Sequence, residues 1–305
     1  TPIKSSAASD VYKRQHMEIL EKAEKYIAQN KFNSYYIGAC VSGKMQVKAL
    51  QPANRLNCIY SVSKNFIATA IAMLEFRGCL TVNDLAKNYL SQYFCGITAD
   101  EKWNYVTIGN LLSHCWGQEN GDFFEADRYR HGDDWARFIL SEKLPLELGK
   151  EMRYSNASYY LLSLIVEKVS GRRSFDFLAE NLFNPMHFEG YASGLCPQGH
   201  TVGATEMFFR TEDLLKFGLL YLNKGVYEGK RFFSDDWADR ASVPVAHNGK
   251  LFYGYGFWKR EKDSSVYFAS GAHGQLVVID GKKQRVFVVQ GYENFDDAAF
   301  VETII

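Results

Sequence analysis

The sequence predicts an α+β fold in which an antiparallel sheet is built from both ends of the chain and an all-helical lobe is inserted between them. Two patterns carry this prediction, because strand-like segments lie near both ends and the middle alternates between helices and loops. With 305 residues, 47% of them hydrophobic and 23% charged, the chain can bury a large core. We expect one folded domain at 16–305, with its sheet lobe at about 17–80 and 201–305 and its helical lobe at about 81–200.

The N-terminal elements follow a polar stretch. Residues 1–15 lack apolar periodicity and the hydrophobic segment of a secretory signal, so we expect a non-native or disordered leader there. Apolar residues that recur every four positions predict a helix over Met17–Asn30. Tyr35–Val41 and Met45–Leu50 have the composition of strands, and Ser42-Gly43-Lys44 predicts a hairpin turn between them.

Apolar spacing predicts three further helices, over about 67–74, 157–169 and 211–224. Gly78 follows the first of them, in the position where glycine commonly ends a helix. Asn156 is a plausible N-cap of the second. These helices supply most of the predicted helical content between the two strand-rich ends.

Near the C-terminus the sequence becomes rich in aromatic and β-branched residues, which are typical of strands. The predicted strands are Phe252–Trp258, Val266–Ser270, Gln275–Ile279 and Arg285–Gln290, with a turn at Asp280-Gly281. Together with the N-terminal hairpin, they complete the predicted sheet.

Composition and charge exclude several functions. Lys and Arg number 35 and so do Asp and Glu, so the formal net charge is zero and we expect no nucleic-acid partner. The longest apolar run, Ile67–Leu74, is far below the roughly 18 residues of a membrane span. Six scattered cysteines without a CxxC pair indicate reduced thiols, which favours a cytoplasmic location and no zinc site. Nothing in the sequence indicates an oligomeric state.

Ser61-Val62-Ser63-Lys64 is the only SxxK motif in the chain, and it lies where a strand-and-loop segment gives way to a helix. A side chain at that point faces the positive end of the helix dipole, which favours developing negative charge. Lys64 is three residues on, so its amine lies on the same helix face as the Ser61 hydroxyl. An unperturbed lysine is protonated at pH 7, so a base role requires desolvation or a cationic neighbour. The alternative is an N-cap serine followed by a solvated lysine.

Tyr154-Ser155-Asn156 offers a phenol for proton relay and an amide for a substrate carbonyl. Two other Tyr-x-Asn matches are weaker candidates, since Tyr221 lies within a predicted amphipathic helix and Tyr292 within an acidic turn. Tyr154 precedes a helix, in a loop whose side chains can face a cleft, and we favour it. The alternative is a buried tyrosine beside a simple N-cap.

The late strands contain a glycine-rich stretch, Ala269–Gln275. Glycine at the end of a strand lets a substrate lie against the backbone, and the next amide can then face an oxyanion. Alternatively, the glycines mark a bulge. His273 alone is more often a packed or surface residue than a catalyst.

Taken in order, these segments resemble the serine β-lactamase and penicillin-binding-protein superfamily, in particular its class C β-lactamase and esterase-like branch. The resemblance covers about residue 35 to the C-terminus. It is carried by several ordered stretches, which are YSVSKNFIATAIAMLEFRG, VTIGNLLSHCWG, MRYSNASYYLLSLIVEKVSG, VGATEMFFRTEDLLKFGLLYLNKG, YGYGFW and ASGAHGQLVVID.

The resemblance implies a sheet flanked by helices and packed against an all-helical lobe, with the serine at their junction. It also implies that Ser61 is the nucleophile, that Lys64 is its base, and that Tyr154 shares the proton network and protonates the leaving group. The reaction would pass through an acyl-enzyme on Ser61 that water hydrolyses. No metal or organic cofactor is implied.

The resemblance further implies a set of substrate contacts. Asn156, Ser270 and Gly271 would bind the substrate. The backbone N–H groups of Ser61 and Ala272 would form the oxyanion hole.

One departure from the family pattern bears on the substrate. β-Lactamases and cell-wall peptidases carry Lys-Thr-Gly as their third motif, whereas the best-aligned triplet here, Ala269-Ser270-Gly271, has no cation and is more like esterase and aminohexanoate-oligomer hydrolase relatives. A β-lactam or D-alanyl carboxylate therefore loses an expected partner. We predict a serine hydrolase for a small ester or amide. The alternatives are a β-lactamase or D-Ala-D-Ala carboxypeptidase, and a non-catalytic ligand-binding sensor on the same fold.

Aromatic residues near the expected cleft suggest an apolar group in the substrate, although such residues also build cores. They are Trp116, Phe123, Phe124, Tyr253, Tyr255 and Trp258.

Overall fold

Strands from both ends of the chain meet in the structure, a computed structural model that describes residues 18–120, 131–262 and 264–304. The strands are, in chain order, β1 (Ser34–Val41), β2 (Lys44–Ala49), β3 (Asn57–Cys58), β4 (Tyr191–Ser193), β5 (Met207–Phe209), β6 (Val226–Tyr227), β7 (Lys230–Arg231), β8 (Ala246–Asn248), β9 (Leu251–Tyr253), β10 (Trp258–Lys259), β11 (Val266–Gly271), β12 (Gln275–Asp280) and β13 (Arg285–Gly291). The α-helices are α1 (18–30), α2 (Ser63–Phe76), α3 (Ala86–Leu90), α4 (Ile108–Leu112), α5 (Trp135–Ser141), α6 (Asn156–Ser170), α7 (Ser174–Leu178), α8 (Thr211–Leu222), α9 (Asp235–Ser242) and α10 (Asp297–Ile304).

The large sheet has the strand order β2-β1-β13-β12-β11-β10-β9-β8, and each neighbouring pair is antiparallel. The N-terminal hairpin joins the C-terminal strands through β1 and β13, where Ile37 pairs with Val289. The turn between β1 and β2 is tight because Ser42 and Gly43 both have positive φ, at 50° and 77°, as two-residue hairpin turns require. The α+β fold and its antiparallel sheet are thus confirmed.

Helices cover both faces of this sheet, and the burial of β12 follows from that arrangement. All six of its residues are buried. Leu276 and Val278 face a core shared with α1 and α10, whereas Val277 and Ile279 face the larger core, to which α8 contributes. Because side chains alternate between the two faces of a strand, a strand covered on both sides needs an unbroken apolar run.

Helix α2 runs through the larger core, where it packs mainly against α6. Residues 63–74 are all buried, so the helix has no solvent-facing stripe over that length. Its few polar side chains are therefore buried with the rest. Gly78 follows the helix with a φ of 71°, the left-handed conformation expected at a helix end.

Two local expectations differ from the structure. The segment Phe252–Trp258 is not one strand, because β9 and β10 are separated by a turn in which Gly256 has a φ of 99°. Asn156 is the first residue of α6 rather than its N-cap. The cap is Ser155, whose side chain accepts a hydrogen bond from the backbone N–H of Ala157 at 3.1 Å.

Within the described ranges, no helix is long and apolar enough to cross a membrane. Among those same residues, no group of three or more His, Cys, Asp and Glu side chains could hold a metal ion. The six cysteines are thiols and form no disulfide in the described structure. The boundaries of the sheet and helical lobes stay predictions.

Candidate active site

Ser61 lies in a single 3₁₀ turn, Tyr60–Val62, immediately before α2. It is half-buried, and its position places the hydroxyl at the positive end of the α2 dipole. Tyr60 has a φ of 46°, an unfavourable backbone conformation for a residue with a bulky side chain. Such conformations persist only where the surroundings hold them, and they are common at functional sites.

Lys64 is buried, with only 1% of its surface exposed, and its amine touches three oxygen atoms. Its Nζ lies 2.9 Å from Ser61 Oγ, 2.6 Å from Asn156 Oδ1 and 3.0 Å from the backbone oxygen of Ala204. A neutral amine has two N–H donors and one lone pair. Two donors directed at Asn156 and Ala204 would leave the lone pair facing the Ser61 hydroxyl, which is the geometry of a base.

Tyr154 lies next to this pair, just before α6. Its ring centroid is 4.8 Å from Lys64 Nζ, and its side chain lines the same cleft as Ser61. Asn156 was expected to contact the substrate, and the structure places its Oδ1 on the lysine amine. Since Ser155 caps α6, the cap and the asparagine together fix the end of that helix against Lys64.

The end of β11 forms the opposite wall, where Ser270, Gly271 and Ala272 line the cleft. A Cβ on Gly271 would lie 2.4 Å from the backbone oxygen of Ile59 and 3.1 Å from the backbone nitrogen of Ser61. Glycine at this position therefore lets the strand approach the serine backbone more closely than any other residue could.

The turn that follows β11 is stacked on the serine segment. His273 has a φ of 61°, and its ring centroid is 4.7 Å from that of Tyr60. Its backbone N–H donates to Asn294 Oδ1 at 2.5 Å. His273 thus packs beside the site, in the turn that also contains Ala272.

The cleft between these elements has a volume of about 320 Å³. It is lined by Ser61, Tyr154, Asn248, Leu251, Trp258, Phe268, Ser270, Gly271, Ala272 and Asp297. Among the aromatic residues expected near it, Trp258 lines it, with its ring 5.6 Å from that of Tyr154.

The other expected aromatic residues lie elsewhere. Tyr253 is buried behind Trp258 with ring centroids 4.5 Å apart, and Trp116 lies in the larger core. Tyr255 packs against Trp237. Phe123 and Phe124 lie outside the described residues.

The competing Tyr-x-Asn motifs are remote from the serine–lysine pair. Tyr221 is buried within α8 and shares a 2.8 Å hydrogen bond with Thr69. Tyr292 is half exposed after β13 and lies against Tyr35. Of the three tyrosines, Tyr154 is the one in contact with the cleft and with Lys64.

His114 is a site residue that sequence reasoning missed. It is buried behind Tyr154, with ring centroids 4.4 Å apart, and accepts a hydrogen bond at Nδ1 from the Ser155 backbone N–H at 3.3 Å. Burial holds the pKa of His114 well below its usual value, so the ring is neutral. Nε2 then carries the proton and faces the Tyr253 hydroxyl at 3.3 Å.

The network continues from Tyr253 to Tyr159 at 3.3 Å, and Tyr159 donates to the backbone oxygen of Leu112 at 3.0 Å. Burial raises the pKa of both phenols, so both remain donors. The network ties the start of α6 to α4. In the sequence, the one available signal for it was a histidine within the family-like stretch LLSHCWG.

Asp297 is the second residue that sequence reasoning missed. It begins α10, lines the cleft, and accepts a hydrogen bond at Oδ2 from the Ser270 hydroxyl. Burial raises the pKa of its carboxyl to about 6, with the neighbouring Asp296 charge adding to the effect. No motif marks this position in the sequence, because it is brought to the cleft by the fold.

A serine hydroxyl that meets a buried lysine amine at the start of a helix, beside an antiparallel sheet, is typical of serine hydrolases that use lysine as a base. A family profile described as beta-lactamase matches residues 22–298. The chain belongs to the beta-lactamase family of serine hydrolases. The expected superfamily is thereby confirmed.

Individual relatives agree with this membership. The chain is 30% identical over 149 residues to penicillin-binding protein 4* of Bacillus subtilis, an alignment that covers 47% of this chain and 31% of that protein. The chain thus spans about a third of the length of this curated relative. The structure superimposes on a penicillin-binding-protein homologue from Caulobacter crescentus with a TM-score of 0.74 at 14% identity, over 92% of each chain. It matches a D-stereospecific amidohydrolase from a Streptomyces species with a TM-score of 0.72 at 16% identity, over 95% of this chain and 97% of that one.

Proposed function

We propose that the protein hydrolyses a small ester or amide through an acyl-enzyme on Ser61. The observation that carries the proposal is the 2.9 Å contact between Lys64 Nζ and Ser61 Oγ at the edge of an open cleft. Burial of the lysine supports it, because desolvation disfavours the charged form of an amine and leaves a lone pair for the serine proton.

In acylation, Ser61 Oγ attacks the substrate carbonyl carbon while its proton passes to Lys64 Nζ. A new C–O bond forms, and the electron pair of the carbonyl moves onto its oxygen. The backbone N–H groups of Ser61 and Ala272 stabilise this oxyanion, which forms beside the positive end of α2. Gly271 supports the role because it holds β11 against the Ser61 amide.

In the second half of acylation, the oxyanion collapses and the bond to the leaving group breaks. The proton held by Lys64 reaches the leaving alcohol or amine through the phenol of Tyr154, whose ring centroid is 4.8 Å from the lysine amine. Water then attacks the acyl carbon and gives its proton to the same network. The bond between the acyl carbon and Ser61 Oγ breaks, and the acid is released. The proton returns to Ser61 Oγ, and the enzyme is restored.

The lining of the cleft favours an ester or amide over a penicillin. Position 269 is a buried alanine, and the described lining residues include no lysine or arginine to meet a substrate carboxylate. One structural neighbour is a D-stereospecific amidohydrolase, which fits an amide substrate. Apolar contacts from Leu251, Trp258 and Phe268 favour a substrate with an apolar part.

The test is the intact mass of the protein after brief exposure to a p-nitrophenyl ester, to a penicillin and to a sulfonyl fluoride. The wild type and Ser61→Ala are compared side by side. We expect an adduct with the ester and the sulfonyl fluoride in the wild type alone, together with ester turnover and no penicillin adduct. A stable penicillin adduct would favour the β-lactamase or carboxypeptidase alternative. Adducts that persist in Ser61→Ala would contradict the assigned nucleophile.

A ligand-binding sensor makes a different prediction in the same comparison. Such a protein would bind the ester without release of p-nitrophenol that depends on Ser61. Lys64→Met supplies a matched variant, because methionine fills a similar buried volume without an amine. Acylation at an unchanged rate in Lys64→Met would exclude the lysine as the base.

A further inference from the structure

The charge of the candidate cleft comes from one side chain. Of the described residues that line it, Asp297 is the one that is charged at neutral pH. The recess beyond Leu251 carries both signs, since Lys250 and Arg260 lie there with Glu261, Asp296 and Glu302, and Arg260 is paired with Glu302 at 2.6 Å. The described lining of the cleft therefore carries one negative charge, and the recess beyond Leu251 has no excess of positive charge to offset it.

Asp297 is not required to cap its helix. The preceding residue, Asp296, performs that role, because its Oδ1 accepts from the Ala299 backbone N–H at 3.0 Å and its backbone oxygen accepts from Phe300. The Asp297 carboxylate instead lies against Ser270 at the cleft wall. A carboxylate at this position has no evident role in holding α10 together.

The hydrogen bond between Ser270 and Asp297 determines what the wall offers a ligand. The Ser270 hydroxyl donates its hydrogen bond to Asp297, so the oxygen atoms of both side chains face a ligand as acceptors. Burial raises the pKa of Asp297 to about 6, and the carboxyl is ionised at pH 8. A substrate carboxylate here would meet two acceptors and a like charge, whereas an ammonium group would meet an opposite charge and hydrogen-bond acceptors.

We propose that Asp297, together with Ser270, binds an ammonium group of the substrate, so that the enzyme acts on esters or amides that carry a positive charge. This inference rests on the proposed hydrolase function and specifies its substrate class. It assigns to Asp297 the recognition of charge, and it leaves the chemistry to Ser61 and Lys64.

The test uses pairs of esters that have the same shape and differ in charge. One pair places the charge in the alcohol, as butyrylcholine against 3,3-dimethylbutyl butyrate. The other places it in the acid, as p-nitrophenyl 4-(trimethylammonio)butyrate against p-nitrophenyl 5,5-dimethylhexanoate. At pH 8 we expect the wild type to prefer the cationic member of at least one pair by about tenfold or more in kcat/KM. Asp297→Asn should reduce that preference to about twofold or less.

Asp296→Asn is the matched control. It removes the same charge from the neighbouring residue, whose side chain is exposed and does not line the cleft. It should keep the preference of the wild type. A preference below twofold in both pairs, or one that survives in Asp297→Asn, would overturn the inference. Turnover of the neutral esters that depends on Ser61 would at the same time leave the proposed hydrolase function standing.

Direct binding tests the charge preference of the cleft without requiring turnover. Isothermal titration of the wild type with n-butylammonium and with butyrate at pH 8 should show binding of the cation alone, and Asp297→Asn should bind it at least tenfold more weakly. Equal affinity for the two ions, or tighter binding of butyrate, would contradict the proposal. If no ester is hydrolysed in a Ser61-dependent manner, the titration still tests the charge preference while the hydrolase function fails separately.

Discussion

Replacement of Gly271 by alanine tests the close approach of β11 to the serine segment. The added Cβ would start 2.4 Å from the Ile59 backbone oxygen, and real Cβ contacts essentially never fall below 3.0 Å, so strand or turn must move by at least about 0.6 Å. The Cβ would also press on the Ser61 backbone nitrogen at 3.1 Å. Both proposed oxyanion donors border this contact, on Ser61 and on Ala272.

The expected kinetic cost follows from the geometry of oxyanion stabilisation. Loss of one donor costs about 10²- to 10³-fold in kcat, and a misplacement near 1 Å costs about 10²-fold. We therefore expect Gly271→Ala to lower kcat for a p-nitrophenyl ester by about 100-fold or more. Overpacking of the backbone should also lower the free energy of unfolding by about 1–3 kcal/mol, as measured by urea denaturation.

Gly281→Ala is the control for this substitution. Its Cβ would meet the nearest atom, the Ser265 backbone oxygen, at an ordinary 3.4 Å, and it lies in the turn after β12, away from the serine. Its kcat should equal that of the wild type. If Gly271→Ala stays within threefold of the wild type in kcat while remaining folded, the close approach of β11 is not what organises the oxyanion hole.

Three further outcomes are expected. Tyr154→Phe should lower kcat/KM by about 100-fold or more, whereas Tyr221→Phe should lose only about 1 kcal/mol of stability with its buried hydrogen bond to Thr69; equal kinetics for the two variants would contradict the proton relay. Because the pKa of His114 is depressed in the folded state, the unfolded chain takes up a proton there below pH 6.5 that the folded chain does not. In urea titrations the free energy of unfolding of the wild type should therefore fall, relative to that of His114→Gln, by up to about 1.4 kcal/mol for each pH unit below 6.5. Parallel pH profiles for the two proteins would exclude a buried neutral ring. For Asp297 the sign is opposite, since a carboxyl whose pKa is raised to about 6 by folding favours the folded state when protonated, and this stabilisation is lost as the pH rises through 6. Asp297→Asn should therefore be more stable than the wild type at pH 8, by up to about 3 kcal/mol, and the two proteins should be equally stable below pH 4. The same difference in stability at both pH values would refute the raised pKa.

The features that the sequence predicts well are local ones. Ser61 and Lys64 are three residues apart at the start of a helix, so their proximity follows from helix geometry alone. The β1–β2 hairpin follows in the same way from a short turn between two strand-like runs. Where local preferences compete, the outcome is harder to predict, and Ser155 rather than Asn156 became the cap of α6. The aromatic residues of Phe252–Trp258 similarly indicated a continuous strand, although the glycine at 256 allows a turn.

The residues that sequence reasoning missed depend on distant contacts. His114 reaches Tyr253 across 139 positions, and Ser270 reaches Asp297 only because α10 folds back onto β11. Neither contact has a periodicity or a spacing that marks it. A histidine that will be buried and neutral also cannot be distinguished in the sequence from any other core residue. Residues of this kind are recognised only from their burial and hydrogen bonds in the structure.

Because the ribosome makes the chain from its N-terminus, the pairing of β1 with β13 must wait until nearly the whole chain has been synthesised. Ser61 and α2 are synthesised early, but β11 emerges about two hundred residues later and β13 later still. At translation rates of roughly 5–20 residues per second, this interval lasts about 10–40 s. During that time Ser61 lacks the strand that carries the proposed oxyanion donor, and β1 lacks β13, its neighbour on the side opposite β2. On the proposed mechanism the nascent chain is inactive until β11 has joined the sheet, and the appearance of activity during refolding would mark that step.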